Sequence, residues 1–198
     1  QGTIDFAAMT DLPLKTRLWL QEHCSWELPH VHDRYLSKDG TVKWLIRIGQ
    51  GDLVETVLIP DKGRNTLCVS SQVGCVLDCS FCSTGKQGFN GNLNAAEIVG
   101  QMAIANAYLA GKSESVTNVV LMGMGEPLYN FDNVRDAMKI AMDPEGICLS
   151  RRRITLSTSG VVPEIAKTAE QIGCLLAVSF HATTDDVRDT LVPINRKW

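Results

Sequence analysis

From residue 65 onward, the chain alternates strand-like and helix-like segments four times. Each strand-like segment is a short apolar run, and each is followed by a loop and then by a run with helical periodicity. This repeat predicts a parallel sheet with helices packed outside it, in either a barrel or a doubly wound arrangement. The four pairs are TLCVS with AAEIVGQMAIANAYLA, VTNVVLMG with FDNVRDAMKIAM, RITLSTS with VPEIAKTAEQIG, and CLLAVSFHA with DDVRDTLVP.

The first part of the chain has a different pattern. DLPLKTRLWLQEH predicts a short helix with its leucines near one face, and TVKWLIRI and LVETVLIP predict a β-hairpin around the turn at residues 49–52. We therefore divide the chain into an N-terminal accessory segment, residues 1–62, and an α/β core, residues 63–198.

Four βα units are too few to close a barrel, and an uncovered parallel strand is an unfavourable edge. The predicted fold is therefore α/β, a partial barrel of four βα units with a small N-terminal helix-plus-hairpin extension. Because the chain also begins with Gln1 rather than Met, we expect it to be a fragment of a longer protein.

Composition excludes several classes of protein. The hydrophobic fraction of 44% and the charged fraction of 21% are ordinary for a globular domain. No apolar run approaches the roughly 18–20 residues needed to cross a bilayer, and no secretory signal is visible, so we expect a cytoplasmic protein without membrane contact. The net charge of −3 neither predicts nor excludes a nucleic-acid partner.

Four of the seven cysteines lie in one stretch, CVSSQVGCVLDCSFCSTGKQGF, at residues 68–89. Clustered thiols in a reducing compartment favour metal or redox chemistry over disulfide bonds. Cys75, Cys79 and Cys82 have the spacing C-x3-C-x2-C, which lets three thiolates surround one face of a soft metal centre.

Two kinds of metal centre fit this spacing. A structural zinc ion takes four ligands, usually from two short hooks; here there is one hook, with Cys68 as a candidate fourth ligand. An iron–sulfur cube usually takes four cysteines, so three leave one iron open for chemistry. The spacing therefore favours an iron–sulfur site, with a zinc module as the alternative.

Polar residues stand at the ends of the second and third predicted strands, where a parallel barrel carries its reactive residues. The second strand runs into a glycine-rich turn that contains Gly125 and Glu126, and a carboxylate there can accept hydrogen bonds from an ammonium group. The third strand ends with Ser157 and Ser159, of which Ser157 is expected to point inward and Ser159 could cap the next helix. A plain glycine turn is the structural alternative for the first of these loops.

The fourth strand ends in Ser179-Phe180-His181. Strand alternation puts Ser179 and His181 on one face, and Val178 and Phe180 on the face toward the outer helices. A single histidine is usually structural, but three polar strand ends on one rim favour a binding site.

The motif C-x3-C-S-F-C, with an aromatic residue before its third cysteine, resembles the signature of the radical S-adenosylmethionine (SAM) superfamily. The resemblance implies a full or partial (βα)6 barrel and a [4Fe-4S] cluster held by Cys75, Cys79 and Cys82. In that superfamily the open iron is chelated by SAM, and the reduced cluster passes one electron to the sulfonium. By motif position the implied SAM-binding residues are Gly125, Glu126, Ser157, Ser179, Phe180 and His181.

Longer blocks resemble the dual-specificity RNA methyltransferase family, which methylates C2 of an adenine in 23S ribosomal RNA and an adenine in some transfer RNAs. The resemblance implies both RNAs as partners, a monomer, and an electron donor such as flavodoxin. A C8-methylating antibiotic-resistance relative is the alternative. The blocks are CVSSQVGC, FCSTGKQGFNGNL, NVVLMGMGEPLYN, RRRITLSTSGVVP and VRDTLVPINRK.

In that family a methyl group is carried on one cysteine, and a second cysteine resolves the protein–RNA adduct. By motif position Cys68 matches the resolving cysteine and Glu55 matches the proposed proton acceptor, although from residues alone Glu55 reads as a solvated hairpin residue.

The family's methyl-carrying cysteine lies beyond the fourth βα unit. We therefore expect this chain alone to bind the cluster and SAM without methylating adenine. A non-catalytic RNA-binding scaffold is the rival reading.

The remaining cysteines lack motif support and are expected to be small core residues. They are Cys24, Cys148 and Cys174.

Overall fold

The structure, a computed structural model, describes residues 5–25, 28–49 and 51–198. The predicted turn at residues 49–52 includes Gln50, which lies outside the described residues, as do residues 1–4 of the accessory segment. The helices are α1 (Leu14–His23), α2 (Ala95–Ala110), α3 (Phe131–Met142), α4 (Val162–Gln171) and α5 (Asp185–Leu191). The strands are β1 (Val31–Leu36), β2 (Val42–Ile48), β3 (Asp52–Asp61), β4 (Arg64–Cys68), β5 (Gln72–Gly74), β6 (Phe89–Asn92), β7 (Asn118–Leu121), β8 (Ile154–Thr158) and β9 (Leu175–Val178).

Seven strands form one open sheet in the order β1-β2-β3-β4-β7-β8-β9. The last four pair in parallel, and each is followed along the chain by a helix, which confirms the predicted α/β fold with four βα units. The first four strands pair antiparallel, so the predicted hairpin of β2 and β3 is confirmed and is part of a larger antiparallel extension.

The predicted division after residue 62 falls inside a tight β-hairpin. Lys62 and Gly63 join β3 to β4, and both have positive φ, 36° and 83°, as a type I′ hairpin turn requires. The extension and the parallel strands therefore share one sheet. The division into two segments stays a prediction.

The helix-facing side of this sheet is the core. Alternate residues of β2, β3 and β4, among them Ile46, Leu58 and Leu67, are fully buried, as are Ile98 and Met102 of α2. A capping box of Asn94 and Glu97 fixes the start of α2. Alternation sends the intervening side chains of these strands to the opposite face, where the functional candidates lie.

Helix α1 of the accessory segment can be compared with the prediction in its position and in its burial. Helix α1 forms as predicted, but none of its described residues is buried, and Leu14 and Leu18 are 62% and 55% exposed. The leucine pattern therefore predicted the helix without predicting a packing partner. Among the described residues, the helices are too short or too polar to span a membrane.

Candidate active site

A cavity of about 300 Å³ lies where β7, β8 and β9 end, under the cysteine loop. This is the edge at which parallel strands with outer helices place functional residues. The lining comes from the cysteine loop, the glycine-rich loop after β7, and the ends of β8 and β9. Its residues are Cys75, Leu77, Cys79, Phe81, Cys82, Thr84, Gly85, Leu121, Met122, Gly123, Gly125, Glu126, Pro127, Ser157, Thr158, Ser159 and Ser179.

Backbone hydrogen bonds hold the three predicted ligand cysteines around this cavity. The small sheet of β5 and β6 closes the base of the loop, and Cys75 donates its N–H to the carbonyl of Gly88 at 3.0 Å. Cys82 donates its N–H to the carbonyl of Cys79 at 2.9 Å. Cys75 and Cys79 are buried and Cys82 is half-buried. Burial raises the pKa of the Cys75 and Cys79 thiols.

The donor set and the space fit an iron–sulfur cluster. All three thiols line a single cavity, and soft thiolates are the ligands that such clusters take. Within the described parts of the chain, no three His, Cys, Asp or Glu side chains converge as ligands of one metal ion. In a [4Fe-4S] cluster the three thiolates bind three different irons. Three thiols that surround a shared cavity therefore fit a cluster better than a single metal ion.

The glycine-rich loop approaches the cavity because it packs directly on residues 69–72. Gly123 donates its N–H to the carbonyl of Val69, and a Cβ at Gly123 would lie only 2.7 Å from that oxygen and from Ser70 Oγ. Gly125 has φ of +96°, and a Cβ there would collide with the side chain of Gln72. Glycine is therefore required at both positions.

Glu126 is a buried carboxylate in the wall of the cavity, with 2% of its surface exposed. Its Oε2 accepts from the backbone N–H of Ser159 at 2.8 Å and its Oε1 from that of Leu128 at 3.2 Å, while its own N–H donates to Gln72 Oε1. Burial raises the pKa of this carboxyl, against these hydrogen bonds, which lower it. Such a group suits a cationic ligand, which would favour its charged form.

The ends of β8 and β9 supply the adjoining wall of the cavity. Ser157, Ser159 and Ser179 line the cavity, and a role for Ser157 and Ser179 in binding stays a prediction.

The predicted alternation does not extend past Val178, where β9 ends. His181 has φ of +58°, and the centre of its ring lies 4.2 Å from that of Phe81, which lines the cavity. The expectation that Val178 and Phe180 face outer helices is wrong, since they are 49% and 59% exposed. In the described sheet β9 is an edge strand, so it has a strand and its helix on one side only.

Glu55 and Cys68 lie outside the cavity lining but on the same face of the sheet. Cys68 is paired with Val57, so Glu55, two residues earlier on β3, is its diagonal neighbour. The Glu55 carboxylate accepts a hydrogen bond from Lys43 Nζ at 2.9 Å. Cys68 is half-buried, and burial raises the pKa of its thiol, which disfavours the thiolate.

Sequence reasoning missed a buried polar network that joins Glu55 to the glycine-rich loop. Ser70 Oγ donates to the Glu55 carbonyl at 2.6 Å and accepts from the N–H of Met124 at 2.9 Å. The amide of Gln101 on α2 binds both the N–H and the carbonyl of Ser70. The available signal was a run of polar residues, SSQ at 70–72, directly after an apolar strand.

The other three cysteines correct a further prediction. Cys24 and Cys148 are exposed and only Cys174 is half-buried, so the expectation of small core residues is wrong for the first two. Cys24 directly follows α1, and Cys148 lies in the loop between α3 and β8.

Comparisons with known proteins agree on the radical SAM superfamily. The Radical SAM superfamily matches the chain over residues 69–198. The chain is 65% identical to a dual-specificity RNA methyltransferase RlmN from Ruegeria pomeroyi and 64% identical to one from Paracoccus denitrificans. It matches over its whole length in both cases but covers 52% and 53% of those proteins. The chain therefore spans about half the length of the curated relatives it matches.

A solved structure agrees with these sequence relatives. The crystal structure of a radical SAM methyltransferase from Sphaerobacter thermophilus superposes with a TM-score of 0.90 at 41% identity. The superposition covers 99% of this chain and 58% of that one.

Proposed function

The chain belongs to the radical SAM superfamily, and we propose that it is the cluster-binding and SAM-binding part of an RNA methyltransferase that acts on C2 of an adenine. The observation that carries the proposal is that three thiols in C-x3-C-x2-C spacing share one cavity with a buried carboxylate and three serines. High identity to proteins named as dual-specificity RNA methyltransferases supports the reaction class.

In this proposal Cys75, Cys79 and Cys82 hold a [4Fe-4S] cluster and leave one iron to SAM. When bound, the reduced cluster supplies one electron to the SAM sulfonium. Glu126 accepts hydrogen bonds from the methionine ammonium of SAM, and the loop at Gly125 permits close backbone approach. The remaining SAM contacts come from Ser157, Ser179, Phe180 and His181.

Glu55 and Cys68 are proposed to act on the RNA side of the site. Glu55 accepts the proton that leaves C2 of adenine. In the whole enzyme, Cys68 would attack the sulfur of the methyl-carrying cysteine, so that an S–S bond forms as the bond from that sulfur to the methylene on adenine breaks, and the methylene carbon takes the bonding electrons and a proton to become the product methyl group. The shared face of β3 and β4 supports this pairing, because the two side chains are diagonal neighbours. The half-exposed carboxylate of Glu55, ion-paired with Lys43, is accessible to a base entering from that face.

The proposed partners are 23S ribosomal RNA and transfer RNA, with a flavodoxin-like electron donor. We propose a monomer that works in the cytoplasm without contacting membranes.

For the 198-residue chain alone, we propose SAM cleavage without RNA methylation, since none of its cysteines matches the family's methyl-carrying position. C8 methylation and a non-catalytic RNA-binding scaffold are the competing proposals.

Anaerobic reconstitution of this chain with iron and sulfide tests the proposal. We expect about four irons per chain, a brown protein, and reductive cleavage of SAM to 5′-deoxyadenosine. Serine at any one of Cys75, Cys79 or Cys82 should abolish both iron loading and cleavage, whereas serine at exposed Cys148 should change neither. A colourless protein with one zinc would instead establish the zinc module. A chain that binds neither iron nor zinc would favour the non-catalytic RNA-binding scaffold.

A further inference from the structure

One row of paired residues crosses the open face of the sheet from its N-terminal edge toward the active site. Tyr35 on β1 pairs with Lys43 on β2, which pairs with Val57 on β3, which pairs with Cys68 on β4. Because directly paired residues point to the same face, all four side chains lie on the side away from α2. The row continues from Cys68 to Val120 on β7.

The outer end of this row has the chemistry of a nucleic-acid surface. Tyr35 is 53% exposed, and Lys43 Nζ lies 5.5 Å from the centre of its ring. Arg47, also on the open face of β2, is exposed, and its guanidinium lies 3.3 Å from His32 Nδ1. Exposed aromatic rings beside cations on an open sheet are the features with which proteins stack bases and contact phosphates.

Two acidic residues share this part of the face, and one of them is ion-paired. Glu55 is neutralised by Lys43 through a 2.9 Å contact. Asp33 accepts a weak hydrogen bond from Tyr35 Oη at 3.4 Å, at the edge of the row. Arg47 is left as the cation on β2 with no carboxylate partner in the described part of the chain.

The spacing also matches a strand of nucleotides. Neighbouring strands are about 4.8 Å apart, so Tyr35 lies about 14 Å from Cys68, three strands away. That distance corresponds to roughly four nucleotides stacked at about 3.4 Å each. An RNA segment with one base at Cys68 therefore reaches Tyr35 with a base a few positions along the chain.

We propose that the open face of β1 and β2 is the docking surface for single-stranded RNA that flanks the target adenine. Tyr35 stacks on a base, and Arg47 contacts a phosphate. The inference rests on the proposed function, because that proposal places the target base beside Cys68 and Glu55. It requires unpaired RNA, since the bases of a duplex are stacked on one another and cannot reach the Tyr35 ring.

Fluorescence anisotropy with the 198-residue chain and a labelled RNA hairpin bearing an unpaired loop tests this surface. We expect Tyr35→Ala to weaken binding about tenfold, whereas Tyr35→Phe, which keeps the ring, binds as the parent does. Arg47→Ala should weaken binding and lower the slope of log affinity against log salt by about 0.7, the contribution of one phosphate contact in single strands. The charge-matched control is Lys139→Ala on the outer helix α3, which should change neither quantity.

Three results would overturn the inference: parental binding by both Tyr35→Ala and Arg47→Ala, equal competition by fully paired RNA, or no RNA binding by the chain. If a variant misfolds, ultraviolet cross-linking of the parental chain to RNA decides instead, and the absence of any cross-link within residues 31–47 rejects the surface. Iron loading and SAM cleavage, measured on the same samples, should be unchanged by these substitutions. If the parental chain neither loads iron nor cleaves SAM, the proposed function is rejected. The RNA-binding measurements then test the docking surface by themselves.

Discussion

Glu126 could be placed from the sequence, but its environment could not. Its position after an apolar strand and a glycine-rich turn predicted a rim carboxylate. Its hydrogen bond from Ser159 depends on the pairing of β7 with β8, and its contact with Gln72 depends on a loop that packs underneath. Both contacts join residues more than thirty positions apart, and local periodicity carries no information about such contacts.

Glu126→Ala should weaken SAM binding by about 10- to 100-fold, because a charge-assisted hydrogen bond to the ligand ammonium is lost. Iron content should stay unchanged, since the three cysteines are intact. Equilibrium dialysis against SAM, with iron analysis of the same sample, measures both quantities. Glu170→Ala, on the exposed side of α4, is the matched control, and equal SAM affinity in the two variants would remove Glu126 from the site.

Cys68 should react slowly with alkylating reagents near neutral pH, because burial raises the pKa of its thiol and only the thiolate is nucleophilic. As the pH rises toward the raised pKa, its rate of alkylation should climb, because the thiolate fraction grows. Peptide-resolved mass spectrometry of the folded chain measures Cys68 and exposed Cys148 in one sample. Cys68 labelling as fast as Cys148 near neutral pH would contradict the buried, protonated thiol.

Regular elements with clear periodicity were predictable, and irregular ones were not. Helix α2 coincides with the predicted run, because its apolar spacing and its Asn94–Glu97 capping box agree. Strand β1, VHDRYL, was missed because almost all of its residues are exposed and carry no alternation. Strands β5 and β6 were missed because three or four residues are too few to show a period.

The conformation of the loop at residues 122–126 requires its glycines. Gly125→Ala should lower the melting temperature by several degrees, because an L-residue at φ +96° costs about 1–3 kcal/mol and its Cβ collides with Gln72. SAM affinity should fall as well, since the displaced loop carries Glu126. Gly91→Ala is the control, because a Cβ there meets nothing within 4 Å and the backbone is unstrained. Thermal unfolding and dialysis compare the two, and equal behaviour would argue that the loop tolerates a side chain.

The sequence divided the molecule in two, whereas the structure continues one sheet through that point. The division followed a change in composition, from an antiparallel pattern to βα repeats. The joining hairpin at Lys62 and Gly63 was inconspicuous, because Lys-Gly is a weaker turn signal than Asn-Gly or Asp-Gly. Whether the core folds without the extension is a question of energy that local pattern does not answer.

Removing residues 1–62 should therefore unfold the rest of the chain. The deletion strips β4 of its antiparallel partner and exposes the face of α2 that packs on β2 and β3. It also removes six buried apolar side chains, at about 1.5–3 kcal/mol each, which together amount to on the order of 10 kcal/mol and match the whole stability of a typical domain. These six are Val42, Trp44, Ile46, Ile48, Val54 and Leu58.

A shorter deletion provides the control. Removing residues 1–27 takes away α1, which buries none of its residues, and should leave the melting temperature within a few degrees of the parent. Circular dichroism during heating should then show one cooperative transition for the parent and the short deletion, and no cooperative transition for the long one. Cooperative unfolding of the chain that begins at residue 63 would mean that the parallel strands form an independent domain, and that the antiparallel extension is an appendage rather than part of the core.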